Sequence, residues 1–131
     1  MPPASAFASV AAGAALGAWL RWLLIGKFNG ALEHLPLGTL IANVAGGLMV
    51  GFAVAWLMDA PHLHPNVRLF VITGFLGGLT TFSSFSAESL ELLMADRYGW
   101  ALAHTALHVF GSLAAAAAGF AAWRALFRTL G

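Results

Sequence analysis

Four stretches of this chain are apolar, nearly free of charge and long enough to cross a membrane. They cover residues 4–26, 37–58, 67–94 and 98–127. A spanning helix needs about 20 mostly apolar residues, because the hydrocarbon core of a bilayer is about 30 Å thick. Only 8% of the residues are charged, whereas soluble domains average about 25%. The sequence predicts an all-α integral membrane protein with four transmembrane helices in a single domain, 1–131, that contacts the lipid bilayer.

Composition also excludes several function classes. The chain has no cysteine, so neither disulfides nor thiolate metal sites can form. Its net charge of +1 gives no reason to expect nucleic acid as a partner. We find no catalytic constellation and expect no enzyme. Arg21 follows the first apolar stretch rather than preceding it, which favours a spanning helix over a cleaved signal peptide.

The third stretch is interrupted by glycines and hydroxyl residues. The run reads Gly77-Gly78-Leu79-Thr80-Thr81-Phe82-Ser83-Ser84-Phe85-Ser86. A helix break at membrane depth is tolerated only where it is buried in protein or lines a polar cavity. We therefore predict a third helix broken near its middle, over 77–80, that resumes over 81–86. The unwound turn exposes carbonyl oxygens that can hold a cation, with a buried water as the alternative.

Lysine and arginine are divided equally between the two sides of the predicted bundle. Orientation normally follows an excess of these residues on the cytoplasmic side. Without an excess we predict insertion in both orientations and an antiparallel homodimer, although one strong charge can still decide the orientation. Glycines four apart indicate close helix packing, either between copies or within one chain. One side holds Arg68, Arg124 and Arg128, and the other holds Arg21, Lys27 and Arg97.

Polar side chains within the spans are functional candidates, because they are costly in a membrane. Thr39 and Asn43 share a face of the second helix, where Asn43 either lines a pore or bonds a neighbouring helix. His104, His108 and Ser112 are four apart in the fourth helix. Two histidines at this spacing bind a metal if a third ligand exists. The first two helices offer no carboxylate in their apolar cores, which favours a donor face toward a cavity.

The other deep groups favour an anion as the cargo. Phe82 and Phe85 share a face of the resumed helix, and the edge of an aromatic ring is electropositive. The alternative is that the two rings simply pack. A cation pathway usually shows rings of carboxylates, and a proton-coupled exporter needs a deep acid. Glu88 and Arg21 are the charges nearest the core, at matching depth. They either form an ion pair, or Glu88 faces the mouth of a pathway.

At these residues the chain resembles the CrcB/Fluc fluoride channels of bacteria. The resemblance covers all four helices and rests on Gly38-Thr39-Leu40-Ile41-Ala42-Asn43-Val44-Ala45-Gly46, on the segment Gly74-Phe75-Leu76 that continues through the run above, and on Gly17-Ala18-Trp19-Leu20-Arg21. It implies a multi-pass channel in the bacterial inner membrane that passively exports fluoride from the cytoplasm. It also implies a dual-topology antiparallel homodimer with two pores and a structural sodium ion at its centre.

The resemblance further implies roles for particular residues. Carbonyl groups of Gly77 and Thr80 are expected to hold the sodium ion. His108 departs from the family pattern, where a tyrosine is expected, and this can make conduction sensitive to pH. The residues expected along the fluoride pathway are Asn43, Thr81, Phe82, Ser83, Ser84, Phe85, Glu88, His108 and Ser112.

Two other functions fit a small four-helix membrane protein. A small multidrug exporter should carry a membrane-embedded glutamate in its first helix, and this chain has none there. A membrane anchor subunit without transport activity leaves the hydroxyl run and the charge balance unexplained. A fluoride channel is therefore the preferred interpretation.

Overall fold

The chain forms a bundle of four membrane-spanning segments. A computed structural model describes residues 1–128, so residues 129–131 of the predicted domain lie outside the described part. Four segments are long and apolar enough to span a bilayer, and no strand occurs within residues 1–128. The prediction of an all-α multi-pass membrane protein is confirmed. The helices are α1 (Ala4–Phe28), α2 (Leu37–Asp59), α3 (Pro65–Arg68), a π-helix (Leu69–Leu76), α4 (Gly77–Leu79), α5 (Phe82–Met94) and α6 (Tyr98–Phe127).

Prolines mark where several of these helices begin. Pro3 and Pro36 immediately precede α1 and α2, and Pro65 occupies the first turn of α3. Proline suits a helix start because its φ is already helical and its missing N–H has no helical partner there. The ring of His64 accepts a hydrogen bond from the Asn66 N–H at 3.1 Å. The connections between the spans are short. Consecutive spans therefore run antiparallel.

Two pairs of helices pack with their backbones in direct contact. The most extensive contacts join α2 to α6, and α1 to the π-helix. A Cβ added at Gly47 would lie 2.7 Å from the carbonyl oxygen of Ser112, and one at Gly74 would lie 2.8 Å from that of Val10. The same applies to Gly13, which faces the π-helix. The glycines four apart therefore serve packing within the chain, which answers a question that the sequence left open.

Adding a methyl group at one of these contacts should weaken the bundle. In Gly51→Ala the new Cβ would overlap the carbonyl of Ala116, so α2 and α6 must separate. Overpacking of this kind costs about 3 kcal/mol. The matched control is Gly26→Ala in α1, where nothing lies within 4 Å of the added carbon. Alanine there favours the helix by about 1 kcal/mol.

Thermal melting in detergent measures both variants. We expect a clearly lower melting temperature for Gly51→Ala, and an unchanged or slightly higher one for Gly26→Ala. Equal stability of the two variants would contradict the backbone contact between α2 and α6.

The third span is broken near its middle, as predicted, but Thr80 is the only residue of the predicted break that belongs to the observed one. Gly77 and Gly78 remain helical, whereas Thr80 and Thr81 are extended, with ψ angles of 153° and 121°. The prediction of a break over 77–80 was therefore right at Thr80 and wrong at Gly77 and Gly78, and the break continues to Thr81, where the helix was predicted to resume. Gly78 is needed for packing instead, because a Cβ there would lie 3.0 Å from the backbone nitrogen of Ala18.

Side chains satisfy the backbone groups around the break. The Arg21 Nε donates to the Gly78 carbonyl at 2.9 Å, and the Thr80 hydroxyl donates to the Leu76 carbonyl at 2.8 Å. The Thr81 hydroxyl accepts from the Ser84 N–H at 3.0 Å and so caps α5. The break is thus a stable feature of the fold, held from both sides.

Candidate functional site

Asn43 of α2 reaches across to the break and bonds its backbone twice. Its Oδ1 accepts from the Thr81 N–H at 2.7 Å, and its Nδ2 donates to the Thr81 carbonyl at 2.9 Å. The amide thereby gives the Thr81 N–H a partner in place of the helical one that the break removes, and adds a side-chain donor to the Thr81 carbonyl. The Nδ2 also lies 3.0 Å from Nδ1 of His108 in α6. Asn43 therefore links three spans at a single point.

These contacts also determine which nitrogen of His108 carries the proton. Because the pair with Thr81 fixes the orientation of the Asn43 amide, its Nδ2 is the donor and the His108 Nδ1 is the acceptor. The neutral ring then carries its hydrogen on Nε2. That Nε2 is buried and has no hydrogen-bond partner among the described residues. An unpaired buried N–H is costly, so the atom suits contact with a bound group.

A cavity of about 630 Å³ lies beside the break. Small residues such as Gly46 and Gly47 form part of its lining, and apolar side chains such as Val50 and Ile72 supply much of the rest. Phe82 lies at the edge of this cavity, and the residue is 80% exposed. The cavity brings together Asn43, Gly77, Thr80, Thr81, Phe82, Phe85, His108 and Ser112 from the predicted site set.

Phe85 lies at the centre of a group of rings. Its centroid is 5.5 Å from that of Phe82, 4.9 Å from that of His108 and 5.1 Å from that of His104. The rings of Phe85 and His104 are stacked, with an interplanar angle of 9°. The predicted pair of phenylalanines is thus part of a larger cluster that includes both histidines of α6.

Glu88 belongs to a hydrogen-bonded network at the other end of this cluster. Thr39 donates to Glu88 Oε2 through its hydroxyl at 2.6 Å, and the His104 Nε2 lies 3.2 Å from Glu88 Oε1. Asn29 bonds both the backbone N–H and the hydroxyl of Thr39. The ion pair of Glu88 with Arg21 does not form, because Arg21 donates to the Gly78 carbonyl instead.

Ser83 and Ser84 do not line the cavity. The Ser83 hydroxyl lies 3.2 Å from that of Thr81, and Ser84 donates its backbone N–H to the same threonine. Both residues therefore belong to the cap of α5. Glu88 borders a second, more polar cavity of about 390 Å³, which is also lined by Glu33, His34, Glu91 and Arg97.

Sequence reasoning missed Asn29 and left Thr39 and His104 outside the site set. Asn29 directly follows α1, and its position in a predicted loop concealed its reach to Thr39. The apolar cores of the first two helices offer no carboxylate that could be a third ligand beside the two histidines. Glu88 of α5 supplies this carboxylate. Its spacing from His104 gives no sequence signal, because the two residues lie on different helices.

The sequence of this chain is similar to those of known proteins over most of its length. Residues 8–120 match the profile of the family described as CrcB-like protein, Camphor Resistance (CrcB). The chain belongs to the CrcB-like family. A relative in Pseudomonas syringae pv. maculicola is 52% identical over 115 residues, which is 88% of this chain and 91% of the relative. One in Aromatoleum aromaticum is 52% identical over 120 residues, 92% of each chain. Another, in Pseudomonas aeruginosa, is 54% identical over 105 residues, 80% of this chain and 83% of the relative.

All three relatives are named fluoride-specific ion channel FluC. The resemblance to CrcB/Fluc proteins is therefore confirmed, and the CrcB-like family is one of channels rather than enzymes. The exporter and anchor alternatives lose their support. Chemically, this CrcB-like chain offers uncharged N–H and O–H donors and aromatic rings in its first cavity, with no lysine or arginine in the lining.

Proposed function

We propose that this protein is a fluoride-selective ion channel that passively exports fluoride from the cytoplasm of a bacterium, across its inner membrane. The observation that carries the proposal is the cavity beside the break, where Asn43, His108 and Ser112 meet the rings of Phe82 and Phe85. An anion that sheds water needs donors in its place, and the His108 Nε2–H and the Ser112 hydroxyl supply them, with Asn43 holding the His108 ring in position. The relatives named above support fluoride as the ion.

Uncharged donors suit conduction better than fixed cations. A channel site must bind an ion well enough to admit it and weakly enough to release it. The buried Nε2–H of His108 and the ring edges of Phe82 and Phe85 attract an anion without a full charge. Fluoride would pass by stepwise exchange of water for these contacts. Rigid donors along a narrow path favour the smallest halide.

A second copy of the chain completes the pathway in this proposal. The extended backbone of Thr80 and Thr81 borders a cavity that is open beside the exposed Phe82. Non-helical backbone at membrane depth has to be buried in protein or to line a water-filled cavity. An antiparallel copy, related by an axis in the membrane plane, covers this face and creates two equivalent pores. The balance of three basic residues on each side supports both orientations.

The same arrangement gives a place for a central sodium ion. Gly77 and Thr80 border the open cavity of one copy, so their carbonyl groups would approach those of the partner at the dimer centre. Transporters coordinate sodium with carbonyl groups freed at helix breaks; here Thr80 is extended, and the Thr81 N–H bonds Asn43 instead of the Gly77 carbonyl. If sodium has this structural role, replacing it with N-methylglucamine in every buffer should lower the melting temperature of the dimer. An unchanged melting temperature would count against it.

Efflux from liposomes tests the proposed function. Purified protein is reconstituted with trapped potassium fluoride, and a fluoride electrode follows release after valinomycin is added. We expect rapid release of fluoride and little release of trapped chloride. Protein that is folded and dimeric but releases no fluoride would refute the proposal.

Labelling of the C-terminus tests insertion in both orientations. A C-terminal tag in intact cells should be reached in part from the periplasm and in part only after the cells are opened. The result follows from the equal distribution of basic residues. Adding two lysines after Gly131 is the matched control and should move the signal to one side. A one-sided signal in the unmodified chain would overturn dual insertion.

A further inference from the structure

Three metal-ligating side chains meet between the two cavities. Glu88 comes from α5, and His104 and His108 come from adjacent turns of α6; one ligand atom from each lies within 4.8 Å of the others. The side chain of Glu88 is 12% exposed and that of His104 is fully buried. Glu88 borders the second cavity and His108 borders the first. The cluster therefore lies where the two cavities approach each other.

This ligand set is the one that zinc uses at sites with an open position. Zinc binds histidine nitrogen and carboxylate oxygen, and catalytic sites combine three protein ligands with a fourth position for water. Imidazole nitrogen also suits copper and nickel, whereas magnesium and calcium prefer oxygen alone. Zinc–nitrogen bonds are about 2.0–2.1 Å, so the longest separation in the cluster has to shorten when a metal enters.

Two of the three ligands already have the outer hydrogen bonds that metal sites need. The Nδ1 of His104 lies 3.0 Å from the Ser89 hydroxyl, and Glu88 Oε2 accepts from Thr39 at 2.6 Å. Such partners orient metal ligands. The remaining atoms, His104 Nε2 and Glu88 Oε1, face each other at 3.2 Å. A metal can take the place of the hydrogen between them, with the ring proton moving to Nδ1, where Ser89 accepts it.

The third ligand, His108, has a nitrogen atom that lacks a partner. The residue is 5% exposed, and its Nε2 is buried without a hydrogen-bond partner among the described residues. Coordination through Nε2 moves the ring proton to Nδ1, where it meets the Asn43 Nδ2–H, so the hydrogen bond from Asn43 is lost and the ring has to tilt away from that donor. Asn43 keeps both of its bonds to Thr81. One neutral hydrogen bond is thus exchanged for a metal–nitrogen bond at an atom that otherwise has no contact.

We propose that Glu88, His104 and His108 form a binding site for a divalent transition-metal ion of the zinc class, and that metal bound there blocks the pathway. The second cavity gives the cation a route in, because Glu33 and Glu91 also line it. A divalent ion beside one carboxylate leaves a net positive charge in the path, which holds an anion too tightly for conduction. The binding site stands without the channel; only the block rests on the proposed function.

Direct binding is measured first, on purified dimer in detergent, with zinc and with cobalt as a spectroscopic probe. The background variant carries His34→Gln, His62→Gln and His64→Gln, which removes the other histidines. We expect one tightly bound ion per chain and visible cobalt bands of four-coordinate geometry. His104→Gln and His108→Gln should each weaken binding at least about 100-fold, because losing a ligand costs no less than losing an outer partner. Ser112→Ala, one turn beyond His108, should bind like the background.

Fluoride efflux from liposomes is then measured with zinc present. We expect at least about a tenfold slower release in the background variant, recovery after EDTA, and no effect of magnesium at the same concentration. No binding, or binding that both histidine variants retain while eluting as folded dimers, would overturn the site. Binding without slower efflux would overturn the block alone. Ligand-dependent binding by a protein that conducts no fluoride would leave the metal site standing and refute the channel.

Discussion

Replacing Asn43 with leucine should cost the folded protein at least about 3 kcal/mol. The substitution leaves the Thr81 N–H and the His108 Nδ1 without their partner, and it removes the side-chain donor to the Thr81 carbonyl. Each buried polar group left unpaired costs about 1–3 kcal/mol. Leucine is close to asparagine in size, so loss of hydrogen bonds rather than of volume dominates. The melting temperature and the yield of monodisperse protein in detergent measure the effect.

Asn66→Leu is the matched control for this prediction. Asn66 lies in α3, and the hydrogen bond of this residue to His64 is made by its backbone N–H, which leucine keeps. Asn66 is half-buried, and its side chain makes no hydrogen bond to the described residues, so we expect a change of no more than about 1 kcal/mol. If Asn43→Leu melts like Asn66→Leu, the break of the third span does not depend on Asn43.

Replacing Phe85 with isoleucine should slow fluoride release about tenfold or more while the protein still folds and stays monodisperse in detergent. The ring contacts Phe82 and both histidines of α6. Isoleucine fills much of the same volume but has no electropositive edge to offer an anion. An aromatic contact is worth up to about 1.5 kcal/mol beyond its area, and about 1.4 kcal/mol corresponds to a factor of ten. Phe82→Ile should act in the same direction.

Phe110→Ile is the control that separates this effect from a general loss of stability in α6. Phe110 is 69% exposed and lines none of the cavities described above. Its replacement should leave release unchanged in liposomes with equal amounts of folded protein. Release at the unmodified rate in both Phe82→Ile and Phe85→Ile would remove the phenylalanines from the mechanism.

The spans could be predicted from sequence because the signal is local. Absence of charge over about 20 residues is decisive in a bilayer, and it required no knowledge of tertiary contacts. The existence of a break was equally visible in the hydroxyl run. Its position was not, since glycine serves both to unwind a helix and to let another backbone approach. Only the contact of Gly78 with α1 shows which use applies here.

The site was predictable where its residues share one helix face and not where it depends on partners. His108 and Ser112 follow from spacing in α6, and both line the cavity. The partners of Glu88 come from α2, α6 and the end of α1, so no spacing rule links them. Arg21 matched Glu88 in depth, yet depth gives no information on direction around the helix axis.

The glycine contacts have a mechanical consequence. Helix pairs that touch through backbone atoms, as α2 and α6 do at Gly47 and Gly51, have no long side chains to bend when one helix slides past the other. Each helix pair should therefore move as one rigid body on the timescale on which ions pass. Motion during conduction is then confined to small parts with free torsions, such as the ring of Phe82, which is 80% exposed. The protein would work as a rigid frame with moving side chains.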